Sequence, residues 1–220
     1  KSVKTNKKCS YLMKYNYIAI EGNIGAGKTT LSNFLSNILS ASLLLEEFEE
    51  NKFLKKFYES GDYALQAEVQ FLLDRSKQLK EFYQKPHTTI VSDYYPNKSL
   101  IFSKMNLNEE EFNLLKDFHH YLFNEFPTPD LLIFLDRNID SLYTNIRRRN
   151  RSYELNMDLN YLKKLDYYYE NWLEKLNIPI IRIDADTIDL NNPEFLSLRF
   201  KQLLDLDFPK TQRVVKFALT

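Results

Sequence analysis

The amino-acid sequence predicts an α/β fold, a parallel five-stranded sheet with helices on both faces. Two observations carry that expectation. Short apolar runs, Tyr17–Ile20, Ser42–Leu45, Thr88–Val91, Leu131–Leu135 and Ile178–Ile183, alternate with longer stretches of helical periodicity. A glycine-rich octapeptide, Gly22-Asn23-Ile24-Gly25-Ala26-Gly27-Lys28-Thr29, follows the first run and opens onto the helix-like Leu31-Ser32-Asn33-Phe34-Leu35. The 220 residues suffice for one such domain with a substantial core.

Residues 1–14 carry five lysines and no acid, and read as a solvated tail or linker ahead of a domain spanning 15–207. Three of the chain's four glycines fall in the octapeptide. Glycine there lets successive backbone N–H groups turn toward phosphate oxygens, and the following helix adds its positive N-terminal end. Lys28 supplies a mobile cation and Thr29 a hydroxyl for Mg²⁺. The second strand runs into the acidic stretch Glu46, Glu47, Glu49 and Glu50. Asp62 to Phe82 contains neither Pro nor Gly and reads as one long helix. The third strand leads to Asp93 and the fourth to Asp136. A helical run then ends in Arg147, Arg148, Arg149 and Arg151. Leu159, Leu162, Leu165, Tyr169, Trp172 and Leu176 recur at helical spacing as an apolar face suited to core or to a dimer contact. Residues 208–220 read as a C-terminal tail.

Lys plus Arg equals Asp plus Glu at 30 each, so no global field recruits nucleic acid or anionic lipid. The single cysteine, Cys9, excludes an internal disulfide and a cysteine-based zinc site. No apolar run reaches the roughly 18 residues of a membrane span, and a cytoplasmic protein is expected.

In a doubly wound sheet, ligands lie beyond the carboxyl ends of the strands. Glu46, directly after the second strand, is placed to hold the proton of an attacking hydroxyl; Glu47, Glu49 and Glu50 read as solvated. Asp93 and Asp136 each end an apolar run as a Mg²⁺-supporting aspartate would, and periodicity does not separate them. Four adjacent guanidiniums repel one another, and a transferring phosphoryl group would relieve that repulsion while accepting bidentate hydrogen bonds. They are therefore read as an arginine-rich lid.

The ordered series of motifs resembles the deoxynucleoside kinase family, and most its bacterial deoxyadenosine/deoxyguanosine kinase branch. The matching pieces are Ile20 to Leu31; Glu46-Glu47-Phe48-Glu49-Glu50-Asn51; Phe53-Leu54 with Phe57-Tyr58-Glu59; Gln66 with Asp74-Arg75; Asp93; Pro129-Asp130-Leu131-Leu132; and Arg149 to Glu154. The resemblance implies a P-loop kinase fold, and ATP and Mg²⁺ as cofactors bound by Gly22, Asn23, Ile24, Gly25, Ala26, Gly27, Lys28, Thr29 and Thr30. It implies Glu46 as the base for the 5′-hydroxyl of a deoxyribonucleoside, with Arg75 beside it. Tyr58 and Glu154 would hold the sugar 3′-hydroxyl, and Gln66 would read the nucleobase through its amide. Asp93 would join Thr29 around Mg²⁺, Arg149 and Arg151 would close over the phosphates, and the adenine of ATP would lie near Asp184 to Thr187.

The chain also departs from the family pattern. Tyr94 follows Asp93 where an arginine is usual, with Lys98 as the candidate replacement. Glu47 stands in place of a proline, Asn150 in place of a lid glycine and Asn145 in place of a lid arginine. Asn tolerates the left-handed backbone that such a glycine would adopt. The resulting expectation is γ-phosphate transfer to a deoxyribonucleoside, a purine one, in nucleotide salvage, by a cytoplasmic homodimer without nucleic-acid or membrane partners. The rivals are a monophosphate kinase of the thymidylate kinase type, a nucleotide-dependent switch and a non-catalytic regulatory copy.

Overall fold

A computed structural model describes residues 14–48, 50–154 and 157–206, and the backbone of residues 215–217. The lysine-rich segment through Met13, Glu49 and most of the expected C-terminal tail lie outside the described residues.

The five expected strands form: β1 (Tyr17–Gly22), β2 (Ser42–Leu44), β3 (Ile90–Ser92), β4 (Leu131–Asp136) and β5 (Ile180–Asp184). A sixth, β6 (Val215–Phe217), pairs parallel with β5 from within the stretch expected to be a tail. The sheet therefore has six strands, not five, in the order β2-β3-β1-β4-β5-β6, with every pairing parallel. Strand β3 begins two residues later than its apolar run suggested, because its register is set by pairing Tyr17 with Ile90.

Eight helices are described: α1 (Lys28–Leu39), α2 (Lys52–Ser60), α3 (Ala64–Phe82), α4 (Lys98–Asn106), α5 (Glu109–Phe123), α6 (Ile139–Arg149), α7 (Leu159–Leu173) and α8 (Pro193–Leu204). Strand β1 shows why helices must cover both faces: Ile18 and Ile20 enter one core cluster, with Leu31 and Leu35 of α1 and Phe200 of α8. Tyr17 and Ala19 enter the other, with Leu72 of α3 and Leu165 and Tyr169 of α7. The period-2 alternation of side chains thus feeds two apolar layers, and β1 is buried along its whole length. The expected apolar face of α7 is core at Leu162, Leu165 and Tyr169, while Leu159 is exposed.

Strand order reverses around β1: the chain passes over the place of β3 to lay β2 at the edge, and later builds β4 and β5 on the other side. The crevice at such a reversal is where ligands sit in these sheets. Here the carboxyl ends of β1, β2 and β3 deliver the glycine-rich loop, Glu46 and Asp93 to that crevice.

Candidate active site

One cavity is lined by Lys28, Thr29, Glu46, Asp93, Arg149 and Arg151 together with Tyr58, Arg75 and Glu154. The expected catalytic, substrate-side and metal-side residues converge there, with one exception described below, and Ile24 and Gly25 of the loop reach the same cavity.

The phosphate loop is held open by its backbone. Gly25 has φ +84°, and a Cβ there would lie 2.7 Å from the carbonyl oxygen of Leu142, so the loop packs against α6 as only glycine can. Asn145 donates its amide to the Gly25 carbonyl at 2.9 Å and so ties α6 to the loop. Asn23 is anchored from the other side, donating to the Leu162 carbonyl at 3.0 Å and to Asp166 of α7. Lys28 donates to the carbonyls of Gly22 and Asn23 at 2.7 and 3.0 Å. Burial, and then the charge of Lys98, lower its pKa to about 8. The negative charge of a polyphosphate in the loop would offset both effects. Thr30 sits exposed in the first turn of α1.

Asp93 links the loop to the acidic turn. Its Oδ2 accepts the Thr29 hydroxyl at 2.6 Å and its Oδ1 accepts the Glu46 backbone N–H at 2.7 Å. Burial raises its pKa. Asp136, the alternative, is half-exposed and accepts Arg182 at 2.7 Å, outside this cavity. Thr29 and Asp93 set two hard oxygen donors side by side at the phosphate loop, a set that would fit Mg²⁺, an ion that takes one or two carboxylates and completes its shell with phosphates and water.

Glu46 points inward while Glu47 and Glu50 are exposed. Its Oε1 accepts from Arg75 and its Oε2 accepts Lys98 Nζ at 2.6 Å. Burial alone would raise the Glu46 pKa, but the two cations, Arg75 foremost, outweigh it and hold it at about 2. Lys98 stands in the first turn of α4 and supplies the second positive group that the Tyr94 position lacks. Tyr94 is instead core, its hydroxyl donating to Gln78 at 2.6 Å. Arg75 also donates to Ser99, so helices α3 and α4 jointly fix the Glu46 side chain.

Arg149 and Arg151 are paired with one carboxylate. Glu154 is buried, and it accepts from Arg149 Nε at 3.1 Å and lies 3.5 Å from Arg151 Nη1. The Arg151 guanidinium lies 4.1 Å from the Phe48 ring centroid. Asn150 has φ 55° and ψ 39° and ends α6, so it adopts the left-handed conformation expected of a residue in a glycine's place. Arg147 lies over the Tyr143 ring and Arg148 is exposed. Tyr58 stacks on Tyr153 at 6.1 Å and faces the cavity near Tyr161. Ala185–Thr187 form a 3₁₀ turn after β5, capped by Asp184 and tied by Asp186 to Arg137 and Asn138.

Gln66 is the exception. It is exposed and does not line the cavity, so the structure does not place its amide against a base. Helical geometry gives the reason: at 100° per residue, Gln66 lies about 180° around α3 from Arg75, whereas Glu68, seven residues before Arg75, lies within about 20° of it. Glu68 does line the cavity. The i to i+7 spacing was the signal that would have found it. Asn51 was also overlooked as a support: it caps α2 by accepting from Phe53 and Leu54 at 3.1 Å, and it donates to the Ala67 carbonyl at 2.9 Å, fixing α2 against α3.

A family model described as deoxynucleoside kinase matches residues 18–203. The chain is 31% identical over 201 residues to a deoxyguanosine kinase of Bacillus subtilis, covering 86% of this chain and 97% of that one. It is 28% identical to a deoxyadenosine/deoxycytidine kinase of the same organism, covering 84% and 89%. Among solved structures, deoxyadenosine kinase from M. mycoides with bound dCTP superposes with a TM-score of 0.73 at 26% identity, covering 86% of this chain and all of that one.

Proposed function

This chain belongs to the deoxynucleoside kinase family, and on that premise we propose that it transfers the γ-phosphate of ATP to the 5′-hydroxyl of a deoxyribonucleoside, a purine one, in nucleotide salvage. One observation carries the reading: a half-buried carboxylate, Glu46, clamped by buried Arg75 and Lys98, shares a cavity with the phosphate loop. The purine preference draws on relatives named deoxyguanosine kinase and deoxyadenosine kinase.

Phosphoryl transfer requires positioning and charge stabilisation more than covalent chemistry. The loop N–H groups and Lys28 hold the β- and γ-phosphates. Thr29 and Asp93 would hold Mg²⁺, which neutralises developing charge on the phosphate oxygens. Glu46 accepts a hydrogen bond from the 5′-hydroxyl and orients it in line. With a pKa near 2, it takes the proton late, as the phosphoryl group arrives and the hydroxyl becomes acidic. Arg75 and Lys98 keep Glu46 ionised and set positive charge beside the transferred group. Arg149 and Arg151 close over the donor phosphates as a lid; when they move to that anion, Glu154 becomes available, with Tyr58, to grip the sugar 3′-hydroxyl. The adenine of ATP lies by the turn at Asp184 to Thr187.

We read the enzyme as a cytoplasmic homodimer without nucleic-acid or membrane partners. The balanced charge supplies no general field to attract nucleic acid, and among the described residues no helix is long and apolar enough to cross a membrane. Exposed Leu114, Tyr121 and Tyr167 on α5 and α7 offer apolar surface for a second copy. An ATP-consumption assay against the four deoxyribonucleosides, with their four monophosphates alongside, tests the reaction. Turnover on the nucleosides supports it; turnover confined to monophosphates reassigns the enzyme.

A further inference from the structure

Glu68 is a buried carboxyl that the reaction above does not use. It is 6% exposed and lines the cavity with Phe57, Phe71, Phe102 and Tyr161, flat side chains suited to a heterocycle. Its Oε2 is reached by the Ser103 hydroxyl at 3.5 Å, but that hydroxyl also donates to the Ser99 carbonyl at 2.7 Å, and no described residue hydrogen-bonds Oε1. A buried carboxyl with one long hydrogen bond is costly unless a ligand completes it. Seven residues of helix separate it from Arg75, about 10 Å along the axis. That is about the distance from a nucleoside's 5′-oxygen to the far edge of its base, and Arg75 is the group holding the base for the 5′-hydroxyl.

Resting on the proposed nucleoside site and deepening it, we propose that the Glu68 carboxyl reads the hydrogen-bonding edge of the nucleobase and makes guanine the preferred base. Guanine offers two adjacent donors, N1–H and the N2 amine, to the two oxygens of a carboxylate. Adenine offers a donor beside an acceptor, N1, which an ionised carboxylate repels and a protonated one satisfies. An amide would serve either base; a carboxylate discriminates.

The surroundings leave the proton mobile. Burial pushes the Glu68 pKa up to about 7 against the lowering effect of Arg75 and Lys98, with Glu46 opposing them and Ser103 contributing its hydrogen bond. Tyr58, Tyr161 and Glu154 line the same cavity, and the charge of Glu68 acts on both tyrosines. Guanine stabilises the ionised form and adenine the neutral form, so the two bases move the proton in opposite directions.

Calorimetric binding of deoxyguanosine and deoxyadenosine to the intact chain at pH 7, in two buffers of different ionisation enthalpy, reads this directly. Deoxyguanosine should release roughly half a proton per site and deoxyadenosine take up a similar amount. In Glu68→Gln both exchanges should vanish, and the kcat/KM ratio of deoxyguanosine to deoxyadenosine at pH 8 should narrow by at least about tenfold, the loss of one bidentate base contact. Proton changes of the same sign for both nucleosides, or none, overturn the proposal, as does an unchanged ratio in the variant. The wild-type calorimetry decides if the variant does not fold. Opposite proton changes without phosphorylation would defeat the kinase reading and leave base reading standing; phosphorylation without them would defeat base reading alone. Binding of neither nucleoside defeats both.

Discussion

Asp93 accepts the backbone N–H of Glu46 at 2.7 Å with one carboxylate oxygen while holding Thr29 with the other. The residue assigned to the metal thereby fixes the chain position of the residue assigned to the hydroxyl, and both are referred to the first turn of α1. A shift at any of the three is felt at the other two, so donor and acceptor geometry are set together.

Glu46→Gln should lower turnover at least about a hundredfold while nucleotide binding persists, because the amide cannot take the proton. It also leaves Arg75 and Lys98 buried without their counter-charge, which should cost about 3 kcal/mol of stability. Steady-state kinetics and denaturant unfolding check the two effects separately. Near-normal turnover would remove Glu46 from the proton's path.

Lys98→Met removes one of the two cations that hold the Glu46 pKa down. The carboxylate should then protonate at higher pH, and the acid limb of the kcat/KM profile should move upward. An acid limb that stays in place would mean that Lys98 does not serve Glu46.

In Asp93→Asn the Mg²⁺ concentration for half-maximal rate should rise at least about tenfold. A titration of rate against Mg²⁺ at saturating ATP measures it. An unchanged midpoint with a lower plateau would show that Asp93 acts through Glu46 rather than through the metal.

Glu68 gives stability a particular pH dependence. Its pKa is raised from 4.5 to about 7 in the folded chain, so between those values the folded state binds more protons than the unfolded state. The stability it lends is complete below pH 4.5 and is lost as pH rises through 7. Glu68→Gln should therefore gain on wild type between pH 5 and 8 by on the order of 2 kcal/mol. Unfolding curves at the two pH values report the difference, and a constant offset would contradict a raised pKa.

How much of this was legible in the sequence depends on whether a residue's role is local. Gly25 and Lys28 belong to one loop, and Glu46 stands just after a strand end, so position along the chain sufficed to nominate them. Asp93 was separable from Asp136 by resemblance, and in space by the partner each finds, Thr29 in one case and Arg182 in the other. Gln66 came from the resemblance alone, and the helix turns it away from Arg75 and presents Glu68 to the cavity instead. Lys98 could only be suggested, since its partner Glu46 is 52 residues distant. The sixth strand was missed because Val215–Phe217 is three residues long and finds its structure only in pairing with β5.

The central claim is that a phosphate donor and a sugar alcohol meet in one cavity, with Glu46 between them. A crystal structure with a non-hydrolysable ATP analogue and deoxyguanosine bound together tests it most directly. The account predicts the γ-phosphate against Lys28 and Thr29, and the 5′-oxygen within hydrogen-bond distance of Glu46 and in line with that phosphate. A nucleoside bound at another face of the molecule, with its 5′-oxygen remote from Glu46, would contradict it.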